Sequence, residues 1–145
     1  MFLLFLSMLL NVPSTTLLQE LRNNYGACSK SEQLCDKMLA KIIHTTSPTE
    51  MGYKASLTMM KANWATWPHQ KLAYFNEGKT LLDQTIKANP QNIELRYLRY
   101  SIQCEIPAFL NYDNRSDDLA YIKKHVNLLT DIQLKQQIEL YLKTK

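Results

Sequence analysis

Glycine is scarce in this chain, with 3 among 145 residues, and prolines number only 5. So little turn chemistry argues against an all-β chain, whose short strands need frequent tight turns. It also leaves little material for a backbone phosphate cradle. No GxSxG, P-loop or dinucleotide fingerprint occurs, so nucleotide and phosphoryl chemistry are disfavoured. The histidines His44, His69 and His125 fall in separate stretches without HExxH, HxH or Cys/His spacing, and neither a metal nor a cofactor is expected. The stretch "DNRSDD" from Asp113 resembles the start of a calcium loop but lacks the central glycine and has Lys124 where a bidentate glutamate is needed. Its acids suit a helix start instead, with Asp117 and Asp118 against the positive end of the dipole. Basic residues do not cluster either. The net charge of +4 is spread among acids along the chain, so no nucleic-acid partner is expected.

Cysteine is sparse and odd in number. In one helix Cys28 and Cys35 would stand roughly 10 Å apart at about 1.5 Å per residue, too far to bridge. Pairing of either with Cys104 stays open, and a role as small buried hydrophobes is the simpler reading. Long apolar runs are also missing. The one candidate, residues 2–10 ("FLLFLSMLL"), falls far short of the roughly 20 residues of a membrane span, so no stable transmembrane span is expected. Its size suits the hydrophobic region of a secretory signal peptide. That reading makes residues 1–13 the signal peptide and residues 14–145 one helical domain, exported to the periplasm or the cell exterior. No Lys or Arg precedes the run and no small-x-small cleavage site follows it. The alternative is a hydrophobic first helix packed on the domain.

What is present is helix punctuation. Apolar residues make up 46% and charged residues 21%, ordinary globular usage, and a chain of this length buries about 70% of its unfolded surface. Residues 14–26 bring Leu17, Leu18, Leu21 and Tyr25 to one side and end at Gly26, read as a helix stop. Residues 29–44 open with Ser29 and Glu32 at capping-box spacing, and residues 47–64 with Ser47, Pro48 and Glu50. The latter carry the stripe Tyr53, Leu57, Met60 and Trp64. Residues 68–89 form a long helix with a wide apolar arc, expected to be central. A helix over 91–105 follows, then the connection "IPAFLNYDNRS", apolar enough to lie across the core. Helices over 116–128 and 131–143 complete the chain, the last with Thr130 and Gln133 as a capping box. The expected fold is all-α: about six or seven helices in antiparallel hairpins joined by short links.

Within this frame, Gly78, Leu82, Thr85 and Pro90 follow the order small, large, small, proline. The segment resembles the second helix of a tetratricopeptide repeat, in which small residues let two helices approach closely. Leu95, Leu98 and Ile102 match the large positions of a repeat's first helix, with Arg99 in place of the usual small residue. The resemblance implies hairpins stacked as a right-handed array. The segment "EGKTLLDQTIKANPQNIELRYLRYSIQ" is also similar to small uncharacterised exported proteins of Bacteroidota, a likeness that implies export and a helical-repeat fold but no activity.

The richest chemical signal lies in "PQNIELRYLRYSIQ". At 100° per residue Leu95, Leu98 and Ile102 form one apolar stripe, and Ile93, Tyr97, Tyr100 and Cys104 a second. Arg96, Arg99 and Gln103 lie between the stripes on one side; Glu94, Ser101 and Glu105 lie between them on the other. The first strip is expected to form a structural network with a ligand surface beside it, because a seam arginine usually has its stem packed and its guanidinium paired. Arg96, Arg99, Gln103 and the aromatic Trp67 are therefore the candidate binding surface. Carboxylate pairs such as Glu77 with Glu105, or Glu94 with Asp83, are the conceivable catalytic groupings. The leading expectation is a non-catalytic exported helical-repeat domain that binds a protein or peptide, for instance an envelope component. The alternatives are a small-ligand binder or enzyme built around Arg96, Arg99 and Gln103, and a stabilising subunit of an envelope assembly.

Overall fold

A computed structural model of the chain describes residues 16–145. The signal-peptide reading of residues 1–13 lies outside the described residues. Those residues form seven α-helices and no strand: α1 Leu17–Cys28, α2 Glu32–Lys41, α3 Pro48–Lys61, α4 Pro68–Ala88, α5 Ile93–Glu105, α6 Arg115–His125 and α7 Ile132–Lys143. None of these helices is long and apolar enough to cross a membrane.

The helix starts follow local chemistry, but not always at the expected residue. Thr16, Ser31, Asn92 and Asp131 each accept a bond from a backbone N–H in the first turn of α1, α2, α5 and α7. The boxes expected at Ser29/Glu32 and Thr130/Gln133 are displaced by one or two residues. Ser29 still belongs to the end of α1, where its hydroxyl donates to the Gly26 carbonyl at 2.7 Å. Asp131, a charged acceptor, takes the cap beside Thr130. Ser47 stands at the start of α3 with Pro48 at the first helical position, yet its side chain makes no cap bond, and Glu50 accepts from Thr45 instead. Gly26 is no stop. It keeps negative φ, and α1 runs on to Cys28, which is fully buried.

Successive helices pair as α1/α2, α3/α4 and α5/α6, and α1, α3 and α5 also pack side by side. Gly78 makes the α3/α4 pairing close: a Cβ there would lie 2.5 Å from the Ala55 carbonyl oxygen and 2.5 Å from Met59 Cγ. α7 leans on α5 through Tyr141, edge-on to Tyr97 and Tyr100 with centroids 5.7 and 6.3 Å apart. It also reaches α1, where Gln19 donates to Gln133 at 3.0 Å.

The central helices are α3 and α5, not α4. In α3, Gly52, Tyr53 and every residue from Ala55 to Met60 are buried, and in α5 so are Ile93 to Leu95 and Tyr97 to Gln103. α4 leaves its first turns uncovered, with Leu72 51% exposed, because a wide apolar arc does not supply a neighbour to cover it. The connection after α5 is likewise divided. Asn111 adopts the left-handed conformation at φ 49°, and the reversal buries Tyr112 while leaving Phe109 84% exposed. Only part of that apolar loop lies across the core.

Candidate functional site

The two polar strips of α5 face opposite seams. On the α6 side, Arg99 grips the fully buried Asp118 with two bonds, Nε to Oδ2 at 2.7 Å and NH2 to Oδ1 at 2.8 Å, and reaches Asp83 at 3.2 Å. Arg96 donates to Asp118 at 3.2 Å and to the Pro90 carbonyl, and its guanidinium lies over the Tyr121 ring at 4.3 Å. Gln103 and Asn114 exchange two bonds, the Asn114 backbone N–H donating at 2.7 Å and the Gln103 amide at 2.9 Å. Burial alone would lower the Arg99 pKa, but the bonds and charge of Asp118 more than offset it and hold Arg99 charged. Arg96 and Arg99 thus share Asp118 in a cluster spanning α4, α5 and α6, while Gln103 is bonded separately to Asn114 at the start of α6. Trp67 stands apart, 59% exposed at the turn that opens α4.

The opposite strip borders a cavity of about 660 Å³ between α1, α3, α5 and α7, within the range of small-ligand and peptide-side-chain pockets. Behind its wall residues Arg22 and Tyr53 lies a cluster drawn from α1, α3, α5 and the α7 N-cap. Glu94 accepts from Arg22 at 2.8 and 2.7 Å and from the Tyr53 hydroxyl at 2.7 Å, and Arg22 bridges onward to Asp131 at 2.8 Å. Tyr25, edge-on to Tyr53, bonds Ser101 at 2.9 Å. Met59, Met60, Tyr97 and Ile102 supply apolar wall, and Asn63 and Gln137 add two amide side chains to the lining. Gly26 lies on the wall with nothing within 4 Å of the place a Cβ would take, so its missing side chain is part of the free space.

Of the carboxylates considered as pairs, Glu94 and Asp83 belong to separate networks on opposite sides of α5, and Glu105 is bonded by Lys145 while Glu77 is exposed. No histidine or cysteine lines the pouch, and no three metal-ligating side chains gather among the described residues. Sequence reading placed Glu94, Ser101 and Glu105 on one strip and considered Glu94 and Glu105 only as members of carboxylate pairs; it read Tyr25 and Tyr53 as apolar-stripe residues and did not single out Arg22 or Tyr141. The available signal was Arg22, a charge beside the apolar side of α1.

Burial shapes the tyrosines. It pushes Tyr25 up to about 12 despite the bond to Ser101, and raises Tyr53 well above its ordinary value with help from the negative Glu94. The folded chain therefore holds these phenolic protons more tightly than the unfolded one. The corresponding stability is complete below pH of about 10 and is lost as pH rises toward about 12, by roughly 2–3 kcal/mol from Tyr25 alone. Urea unfolding midpoints should fall over that interval, and Tyr25→Phe should flatten the slope; an unchanged slope would contradict the assignment.

No protein family, curated protein or solved structure matches this chain.

Proposed function

We propose that this chain is a non-catalytic, exported helical-hairpin domain of the tetratricopeptide kind that binds a peptide segment of a partner protein, such as an envelope component, in the α1–α3–α5–α7 pouch. The observation that carries this reading is the pouch itself: tyrosine and methionine walls, with Asn63 and Gln137 in the lining and, among the described residues, no hydrogen bond from either amide side chain. Side-chain amides offer a donor and an acceptor together, the pattern that a peptide backbone presents. Tyrosine supplies contact area at small entropic cost. Among the described residues the carboxylates near the pouch are paired, Glu94 with Arg22 and Tyr53 and Glu105 with Lys145. Arg96, Arg99 and Gln103 support the binding surface from behind, through the α5/α6 seam, rather than contributing a ligand pocket of their own. Export rests on the apolar run at residues 2–10.

The test exploits Gly26. Peptides selected from a random display library on the full chain should bind it in calorimetry and lose at least about tenfold in affinity to Gly26→Trp, since an indole there fills desolvated contact area. Failure to select any peptide, or binding unaltered by Gly26→Trp, would overturn the reading.

A further inference from the structure

The pouch has a polarity. Toward one end lie Arg22 and Tyr53, bonded to Glu94 and, from Arg22, to the α7 N-cap Asp131; toward the other lie Ser29 and Lys30 just past α1, Asn63 just past α3, Glu105 and Ile106 at the end of α5, and Tyr141 near the end of α7. All four helices therefore run the same way and present their carbonyl ends to this second end. Each helix C-terminus carries the equivalent of about half a negative charge, and unlike most helix ends those of α1 and α5 have no basic residue in their last turn. Lys61, in the last turn of α3, is committed elsewhere, to Glu32 and Asp36 of α2.

One cation already sits at this end. Lys145 bonds Glu105 and lies 5.6 Å from the centroid of the Tyr141 ring, the contact a cation makes with an aromatic face. Among the described residues Glu105 is reached only by this lysine and by the Tyr141 hydroxyl, at 3.4 Å, and its side chain is 62% exposed. Arg22 is engaged at the far end by Glu94 and Asp131, Lys30 is exposed at the rim, and Lys143 stands in the last turn of α7.

Building on the peptide-pouch reading, we infer that the segment bound here carries a lysine or arginine next to an apolar residue. The apolar residue enters between Tyr97, Met60 and Ile102, and the cation takes the place of Lys145 on Glu105 and the Tyr141 face. Lys145 is then an internal competitor that an incoming basic residue displaces. An acidic residue has no such place, since it would face the Glu105 carboxylate.

The measurement uses the full chain and the display-selected peptides. Selected sequences should be enriched in lysine or arginine beside an apolar residue. Glu105→Gln should weaken their binding roughly threefold to tenfold, and Lys145→Ala should tighten it by a similar factor, the range expected for one partly exposed ion pair with a cation–π contact. Both positions are surface-accessible, so both variants should unfold at the wild-type denaturant midpoint. Selected peptides without basic residues, or affinities indifferent to Glu105→Gln or to Lys145→Ala while still lost to Gly26→Trp, would overturn this inference and leave the pouch reading standing. Binding that survives Gly26→Trp would overturn the pouch reading itself.

Discussion

Asp118→Ala should cost about 3–5 kcal/mol of folding stability, the range for removing one partner of a buried ion pair. Asp118 is fully buried and receives three bonds, two from Arg99 and one from Arg96. Alanine would leave the Arg99 guanidinium, itself 11% exposed at the side chain, with only the longer bond to Asp83. The penalty is that of a stranded charge, not the net worth of the bridge. Arg99→Met combined with Asp118→Leu, which removes both charges and keeps apolar volume, should therefore recover a large part of the loss. Urea unfolding of the two variants separates these contributions. A loss below about 1 kcal/mol for Asp118→Ala, typical of a solvated surface pair, would show that the cluster does not hold α5 to α6.

Gly78→Ala should destabilise by about 1–3 kcal/mol even though alanine is the better helix former. The added methyl group meets the Ala55 carbonyl oxygen and Met59 Cγ at 2.5 Å and the Met59 backbone nitrogen at 3.0 Å. Two of those atoms are backbone, so α3 and α4 must separate along their whole contact. Gly26→Ala is the control, with the same chemistry and the opposite sign. It sits in α1 with negative φ and open space around it, so it should gain about 0.5–1 kcal/mol from helix propensity. Gly52 falls between, since the nearest atom to its added Cβ is Leu95 Cδ2, the end of a movable side chain. Thermal unfolding of the three variants should rank them Gly26, Gly52, Gly78 in falling stability, and any other order would contradict the packing described.

Much of the architecture was legible in the chain because it is local chemistry. Proline at Pro48 and Pro68, the capping residues and the spacing of Leu21, Tyr25, Tyr53 and Leu57 specify where helices start and which side they bury. Boundaries slipped where two residues compete for one role, as Ser29 with Ser31 and Thr130 with Asp131. Gly26 was misread because glycine at a helix stop and glycine on a groove wall look alike in one dimension. α4 was placed at the centre because an apolar arc reports what a helix could bury, whereas coverage depends on which neighbours arrive.

The candidate site divides along the same line. The sequence by itself determined an all-helical chain and an α5 with two apolar stripes and two polar strips, since both follow from the 3.6-residue period and from the scarcity of glycine and proline. Only the tertiary structure decided which strip meets Asp118 and which meets the pouch. That outcome depends on Arg22, Asp83, Asp118 and Asp131, which are brought to α5 by other helices. Charges distant in sequence gain their meaning from the helix directions that place them together, and those directions are set by the packing of whole faces.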